Sequence, residues 1–340
     1  MLAPIAWRTP PEHYGPWEQV ASTLTEGLVR QGVEVTLFAT ADSLTSAHLD
    51  SVAPHGYAED PTMDGRVWEA LHMARAMERS HEFDLVHSHL DWLPLALEAQ
   101  WRAPLVTTVH GFSGPAILPA YERAGSALVS ISDADRAPSL HYAATIGHGL
   151  DTDAFPAGPG GDVLLSFGRI HPDKGTADAI DIAERAGRRL LIAGIVQDED
   201  YFDELVRPRI DDDRVVYLGA VGAAERPGVL GAAAMLLHPI HFDEPFGLAV
   251  IESMLCGTPV LAYRRGAMPE VVDDGVTGLL VDPHDGIAQA AATVAKAAAL
   301  DRTLVRRRAR ERFSVERMVE SYLDLYRDLR DAAHRRAPGE

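Results

Sequence analysis

The chain has 340 residues, 46% of them hydrophobic, and this length exceeds what one small core usually organises, so we expect two domains. The formal net charge is −19, and residues 1–155 contain eight Arg, no Lys and 20 Asp or Glu, which argues against nucleic acid as a partner because a phosphate backbone needs a cationic surface. A single cysteine excludes an internal disulfide, and we predict a cytoplasmic protein because neither a signal-peptide pattern nor a long apolar run is present.

The first half of the chain alternates short apolar strands with helical patterns. The loop at residues 8–15 would follow a first strand, although only seven residues precede it and Pro4 interrupts them. Further strands are predicted at residues 33–39, 85–87, 104–110 and 127–130, and helices at residues 18–31, 66–80 and 92–100.

The second half repeats this alternation, which indicates parallel sheets covered by helices on both faces. Strands are predicted at residues 163–167, 190–193, 215–218, 235–238 and 260–262, and helices at residues 177–186, 200–207, 223–232, 246–256 and 286–299.

A turn-rich segment at residues 147–162 suggests where the domains divide. We therefore predict an N-terminal domain over residues 1–155 and a C-terminal domain over residues 156–315. A helix over residues 316–333 would pack back on the N-terminal domain, and residues 334–340 would form a tail. The arginine run from Arg306 to Arg312 predicts a solvated helix face rather than a membrane contact.

Two carboxylates flank a predicted helix start in the second half. Pro245 suits the first turn of a helix, and the N–H groups that follow it would be unpaired donors that favour an anion: those of Phe246, Gly247 and Leu248. Glu244 and Glu252 would lie about 9 Å apart along the axis and could bracket a diphosphate. A helix-start charge and a surface carboxylate would produce the same pattern.

A loop with two basic residues follows the first strand of the second half. Arg169 and Lys174 would lie near the carboxyl edge of the sheet, where such folds bind ligands, and could neutralise a diphosphate. Pairing of Arg169 with an aspartate of the same loop is the structural alternative.

The first half offers weaker candidates. Gly15 precedes a helix and would permit close approach of a phosphate to the backbone. His110 ends a strand and could contact a sugar or a phosphate, although a histidine at a strand end is more often structural. We favour the structural interpretation for His87 and His89.

Other ligand classes lack their sequence patterns. The aspartate runs at residues 211–213 and 273–274 have no His or Cys at metal-ligand spacing. A dinucleotide-binding glycine motif and a phosphate-binding P-loop are both missing, which disfavours an oxidoreductase and an NTPase.

Taken together, these motifs resemble glycosyltransferase family 4, the group 1 glycosyltransferases, whose members are retaining enzymes of the GT-B fold. The resemblance covers nearly the whole chain and rests on these segments: Tyr14-Gly15, Gly149–Asp151, Gly168-Arg169 with Lys174-Gly175, Glu244–Gly247 with Glu252, Gly257–Val260 and Gly278–Val281. Pro16 and His148 depart from the residues most often found at those positions. The implied fold is α/β, with two Rossmann-like doubly wound parallel-sheet domains facing across a cleft.

The resemblance also implies roles for the candidate residues. Arg169 and Lys174 would hold the donor diphosphate, Glu244 would contact the donor sugar, and Glu252 the ribose. His110 would lie near the sugar and the leaving phosphate. The N–H groups of residues 246–248 would face phosphate and sugar, and the acceptor would be selected by the N-terminal domain.

We therefore expect a retaining hexosyl- or other glycosyltransferase that uses a nucleotide-diphosphate-sugar, needs no cofactor or metal, and acts by front-face transfer. Because residues 1–155 lack a basic amphipathic face, we expect a soluble acceptor, such as a small molecule or oligosaccharide, and no stable membrane association. The alternatives are a nucleotide-sugar epimerase or hydrolase of the same fold, and a two-domain protein that binds a small ligand. Donor base, donor sugar and oligomeric state are not constrained.

Overall fold

A computed structural model describes residues 1–12, 15–111 and 114–336 of the chain. The described residues form two compact units: the first comprises residues 1–150 and the chain from Val315 onward, and the second comprises residues 151–314. Within the described residues, no helix is long and apolar enough to cross a membrane.

The first unit is built on parallel strands. Its strands are β1 (Thr36–Phe38), β2 (His48–Asp50), β3 (Val86–Ser88), β4 (Leu105–Val109), β5 (Ala127–Ser130) and β6 (Ala144–Thr145), and its helices are α1 (Pro16–Arg30), α2 (Gly65–Arg79), α3 (Leu93–Ala96), α4 (Leu118–Arg123) and the C-terminal helix (Val315–Arg336). Strands β3 to β6 pair in chain order, and β1 pairs with β2.

The first predicted strand is reduced to a single position. Leu2 makes parallel bridges to Phe38 in β1 and to Ser88 in β3, and so joins the two groups of strands. Pro4 has no N–H and cannot extend the ladder. Strand β1 follows on one side of Leu2 and strand β3 on the other side. The carboxyl ends of the strands around Leu2 therefore form a topological switch point, where doubly wound sheets bind ligands.

The C-terminal helix packs into the core of the first unit. Its buried residues Val315, Val319 and Tyr322 lie with Leu24 of α1 in one apolar cluster. A Cβ atom on Gly27 would lie 2.5 Å from Val319 Cγ2, so the glycine permits the two helices to approach closely.

The second unit is a doubly wound parallel sheet. Its strands are β7 (Leu164–Phe167), β8 (Leu190–Ala193), β9 (Val215–Tyr217), β10 (Met235–His238), β11 (Val260–Tyr263) and β12 (Gly278–Val281), and its helices are α5 (Thr176–Arg185), α6 (Glu199–Tyr201), α7 (Arg226–Ala232), α8 (Leu248–Leu255), α9 (Met268–Val271), α10 (Gly286–Ala298) and α11 (Arg302–Phe313). The strand order is β12-β11-β10-β7-β8-β9, so the winding direction reverses between β7 and β10.

Four predicted helices differ from the structure, and the one expected over residues 223–232 begins only at Arg226. The helix expected over residues 92–100 is α3 followed by a 3₁₀ turn at Glu98–Gln100. The helix expected over residues 200–207 is α6 followed by a π-helical turn and a 3₁₀ turn, and Pro208 accounts for its end because proline offers no N–H. The helix expected from Phe246 begins at Leu248.

The arginines of α11 are not simply a solvated face, which corrects the prediction for the run from Arg306 to Arg312. Arg306 donates to the carbonyl oxygens of Phe155 and Leu255, and Arg312 Nη1 lies 2.7 Å from Asp273 Oδ1. These contacts attach α11 to the rest of the second unit.

Candidate functional site

The loops after β7 and β10 lie side by side at the switch point of the second sheet. The N–H of His241 donates to the carbonyl oxygen of Asp173 at 2.7 Å, which ties the two loops together. Gly175 has φ +65°, and a Cβ atom there would lie 2.0 Å from the carbonyl oxygen of Pro239, so only glycine fits at this crossing. The predicted edge of the sheet therefore carries both candidate motifs of the second half.

Lys174 and Glu244 form an ion pair at this edge. Lys174 Nζ lies 2.6 Å from Glu244 Oε2, and the two side chains are 18% and 14% exposed. The ammonium group also lies 4.5 Å from the ring centre of Phe242, close enough for a cation–π interaction. The pair joins residues that are 70 positions apart in the chain.

The charge of Glu244 is stabilised by its neighbours. Burial by itself raises the pKa of this carboxyl, but contacts with His238 and Lys174 outweigh that effect and lower the pKa to about 2. His238 Nε2 lies 3.6 Å from Glu244 Oε2, beyond hydrogen-bond length, and burial lowers the pKa of His238. Both neighbours therefore favour the ionised form of Glu244, His238 as a polar group beside the carboxylate and Lys174 through the ion pair.

The helix start after Glu244 differs from the prediction. Gly247 is the N-cap of α8 with φ +94°, so Pro245 and Phe246 precede the helix instead of forming its first turn. The N–H groups of Val250 and Ile251 donate to the carbonyl oxygen of Gly247. The first N–H groups of a helix have no acceptor inside it, so α8 still offers donors for an anion near Gly247 and Leu248.

Glycine 266 holds the backbone of Glu244. It has φ +49°, and a Cβ atom would lie 2.4 Å from the amide nitrogen of Glu244. The neighbouring N–H of Ala267 donates to the carbonyl oxygen of Glu244 at 2.8 Å. The position of the carboxylate therefore depends on a segment that follows β11.

Glu252 is buried and paired, not a surface residue. Arg226 Nη1 lies 2.9 Å from Glu252 Oε1, and burial raises the pKa of Glu252 despite this contact. The guanidinium also lies over the ring of Phe167 at 5.7 Å. Because residues 244–247 are not helical, the 9 Å separation expected from helical rise does not apply to the two carboxylates.

Arg169 and Lys174 have different partners. Arg169 donates to the side-chain oxygen of Gln197, while Lys174 pairs with Glu244. The predicted alternative, an Arg–Asp pair within the loop, is not what the structure contains; instead His171 Nδ1 lies 3.2 Å from Asp173 Oδ2.

The candidates of the first half lie at the switch point of the first sheet. Gly15 has φ +147° and precedes Pro16, the first residue of α1; Tyr14 lies outside the described residues. Trp17 stacks on His110, with ring centres 5.4 Å apart. His110 follows β4 and is buried, which lowers its pKa well below the usual value.

His87 and His89 are buried beside His110. His89 Nδ1 lies 2.8 Å from His110 Nε2, and the ring centres of His87 and His89 lie 4.4 Å apart. The ring of His148 lies 5.1 Å from that of His110. The sequence placed His87, His89 and His110 at or next to strand ends but did not indicate that they would meet one another and His148.

Comparison with known proteins shows which family the chain belongs to. The model for Glycosyltransferase Family 4 matches residues 17–139, and the model for glycosyl transferases group 1 matches residues 153–313. The D-inositol 3-phosphate glycosyltransferase of Saccharomonospora viridis is 32% identical, over an alignment that covers 74% of this chain and 72% of that protein. The chain belongs to glycosyltransferase family 4.

Further comparisons agree with this assignment. The D-inositol 3-phosphate glycosyltransferase of Mycolicibacterium smegmatis is 31% identical over 76% of this glycosyltransferase and 73% of that protein. The crystal structure of AviGT4, a glycosyltransferase involved in avilamycin A biosynthesis, is 25% identical, covers 97% of each chain and superposes with a TM-score of 0.74. The predicted GT-B fold class, with Rossmann-like parallel-sheet domains, is confirmed.

The matched regions contain most of the candidate residues. The group 1 region of the glycosyltransferase includes the loops after β7 and β10, and the family 4 region includes His110 but begins after Gly15. Sequence reasoning missed Arg226 and His238, which contact the two carboxylates. The only sequence signal for Arg226 was its place at the start of a predicted helix.

Proposed function

We propose that this glycosyltransferase moves the sugar of a nucleotide-diphosphate-sugar to a hydroxyl group of a soluble acceptor, with retention at the anomeric carbon and without a metal. The observation that carries the proposal is the partly buried Lys174–Glu244 ion pair beside the start of α8. A cation, a carboxylate and helix N–H donors suit a ligand that has both phosphate and sugar hydroxyls.

The donor diphosphate would bind to the cationic side of this edge. Lys174 has three N–H donors, so it would keep its contact with Glu244 and add one to a phosphate oxygen. Arg169 would exchange its contact with Gln197 for a bidentate contact to the diphosphate. The first N–H groups of α8 would complete the neutralisation of the leaving group.

Glu244 would bind sugar hydroxyls as an acceptor. Its pKa of about 2 makes it a weak base, and its ion pair with Lys174 makes it a weak nucleophile. We therefore favour front-face transfer: the bond from the anomeric carbon to the diphosphate oxygen breaks, the acceptor oxygen bonds to the same face, and the leaving oxygen takes the acceptor proton. Glu252 would contact the ribose through the oxygen not held by Arg226, and His110 would contact the sugar or leaving phosphate.

The acceptor is proposed as a small molecule or oligosaccharide. The curated relatives from S. viridis and M. smegmatis are named for D-inositol 3-phosphate, so this compound is the first acceptor to test. Inositol and short oligosaccharides complete the panel.

The test begins with donor binding. UDP-, GDP- and ADP-sugars are screened by thermal shift, where a ligand at 100-fold over its dissociation constant adds about 2.7 kcal/mol. The selected donor is then incubated with each acceptor, with and without EDTA, and the anomeric configuration of the product is determined by NMR. We expect a retained product whose yield EDTA does not change.

Each outcome has a distinct meaning. An inverted product overturns the mechanism, and loss of product in EDTA overturns metal independence. Fast turnover of the donor without acceptor identifies the epimerase or hydrolase alternative, and tight binding without turnover identifies a binding protein.

A further inference from the structure

Four imidazole rings are buried next to one another in the first unit. The rings of His87, His89, His110 and His148 follow in series, with neighbouring centres 4.4, 5.0 and 5.1 Å apart. In the described part of the chain, no group of three or more His, Cys, Asp or Glu is placed to hold a metal ion.

One end of the series is fully hydrogen-bonded. His87 Nδ1 lies 2.5 Å from the hydroxyl of Tyr326, and His87 Nε2 lies 2.7 Å from Thr108 Oγ1. Thr108 Oγ1 in turn lies 2.7 Å from the hydroxyl of Tyr322. The C-terminal helix thus supplies both tyrosines that hold His87 in place.

Each of the two middle rings, His89 and His110, leaves one nitrogen unpaired among the described residues. His89 Nδ1 and His110 Nε2 lie 2.8 Å apart, and among the described residues neither His89 Nε2 nor His110 Nδ1 has a hydrogen-bond partner. Burial and repulsion between neighbouring imidazoles lower the pKa of both rings, so each is neutral and carries one N–H. One ring must donate to the other, and the remaining N–H must fall on an unpaired nitrogen.

The two arrangements differ in where the unpaired N–H lies. If His110 donated, the unpaired N–H would be on His89, whose side chain is completely buried. If His89 donates, the unpaired N–H is on His110, which is 9% exposed. A buried N–H without an acceptor costs about 1–3 kcal/mol, more than a bare ring nitrogen, and only at His110 would a ligand be able to supply the acceptor.

We propose that His89 is a positioning residue that donates its Nδ1–H to His110 Nε2 and so fixes His110 as the tautomer protonated on Nδ1. His110 then presents an N–H, not a lone pair, to an incoming oxygen. The consequence for catalysis rests on the proposed function, in which His110 contacts the donor sugar or the leaving phosphate. The ring of His110 also stacks on Trp17, which restricts its rotation.

The tautomer is measured directly in the ligand-free full chain. Long-range ¹H–¹⁵N correlation spectra of histidine-labelled protein distinguish a protonated ring nitrogen from a bare one, and His110→Asn identifies the His110 signals. We expect Nδ1 of His110 to be protonated at pH 7.5. Protonation on Nε2, the form that neutral imidazole side chains favour in water, overturns the proposal whatever the activity of the enzyme.

Two substitutions of His89 separate the hydrogen bond from the packing. His89→Asn keeps a donor near the position of Nδ1, and His89→Phe keeps a packed aromatic ring without a donor. We expect His89→Asn to retain the His110 tautomer and to keep kcat within about threefold of wild type. We expect His89→Phe to lose the tautomer and to lower kcat about tenfold, the effect of losing one hydrogen bond, with little change in donor KM. Equal effects of the two variants on the tautomer overturn the proposal.

His72 supplies the matched control. It is a buried histidine outside the series, and its Nε2 lies 2.9 Å from the carbonyl oxygen of Ala3. His72→Phe should lower stability but leave the tautomer of His110 unchanged; a shift of that tautomer would attribute the effect to general destabilisation and overturn the proposal. A confirmed tautomer in a chain that transfers no sugar would instead contradict the proposed function.

Discussion

Replacement of Glu244 by Gln tests how much the ionised carboxylate of Glu244 stabilises the second unit. The substitution keeps the shape of the side chain but removes the negative charge that faces Lys174 Nζ at 2.6 Å. The folded protein lowers the pKa of Glu244 from 4.5 to about 2, and at about 1.36 kcal/mol per pKa unit this corresponds to about 3 kcal/mol of stability at pH 7.

The sign and the pH window follow from the direction of the shift. Because the folded-state pKa is depressed, the contribution is fully present above pH 4.5 and is lost as the pH falls toward 2. A second argument gives a similar size, since removal of one partner of a buried ion pair costs about 3–5 kcal/mol. Both side chains keep some exposure, so we expect the lower end, about 3 kcal/mol.

Hydrogen exchange is the suitable assay, because two units need not unfold in one step. Amide protection of β7 and β10 reports the opening free energy of the second unit directly. We expect Glu244→Gln to lower it by about 3 kcal/mol at pH 7, and the difference from wild type to narrow below pH 4.5. A loss under about 0.5 kcal/mol at pH 7 would refute the pairing argument.

A double-mutant cycle shows whether Lys174 is responsible. Lys174→Met removes the other charge, and the double variant should lose less stability than the sum of the single variants, with a coupling energy above about 1 kcal/mol. Additive losses would mean that the two groups do not stabilise each other.

Three further predictions concern binding, pH dependence and backbone geometry. Lys174→Met should weaken donor binding about 10- to 100-fold in calorimetry, since one charge-assisted hydrogen bond contributes about 1.5–3 kcal/mol. Burial raises the pKa of Glu18 from 4.5 to about 7, so between these pH values the folded protein keeps a proton that the unfolded chain loses. The free energy of unfolding of the wild type therefore falls as the pH rises through this window. In denaturant titrations, Glu18→Gln should gain about 3 kcal/mol relative to wild type between pH 4 and pH 8. Gly266→Ala should displace the backbone of Glu244 and weaken both stability and donor binding, because the new Cβ atom would lie 2.4 Å from an amide nitrogen.

Each of these predictions has a control in the same chain. Lys296, the other lysine, is exposed on α10, and Lys296→Met should leave donor affinity unchanged. Gly32 has φ +81° but open space around it, so Gly32→Ala isolates the cost of the left-handed backbone from the clash expected at Gly266. For Glu18, the wild-type chain titrated over the same pH range is the control, and a Glu18→Gln variant whose stability has the same pH dependence as wild type would refute the burial argument.

Short-range sequence patterns predicted much of the secondary structure. Apolar strands such as residues 164–167 and 235–238 alternate with helices, and this alternation depends on short-range periodicity, so it predicted the parallel sheets. The GT-B fold class was implied by the resemblance to family 4. The order of the motifs around Gly168, Lys174 and Glu244 indicated the family for the same reason, since each motif is a short run of residues.

The site contacts were decided only by tertiary structure. Lys174 meets Glu244 because β7 and β10 are neighbours at the reversal of strand order, a pairing between segments 70 residues apart that no local pattern specifies. Glu252 is buried and forms an ion pair with Arg226 from another helix. Helix α8 starts at Leu248 because Gly247 adopts a positive φ.

The histidines of the first unit show the same division. The sequence placed His87, His89 and His110 at the ends of predicted strands, because apolar runs end there. Their contact required parallel strands to lie side by side. The hydrogen bonds of Tyr326 to His87 and of Tyr322 to Thr108 required the last helix to return to the first unit. Sequence periodicity determines which segments form strands and helices, whereas the burial of one sheet against distant helices determines which side chains meet.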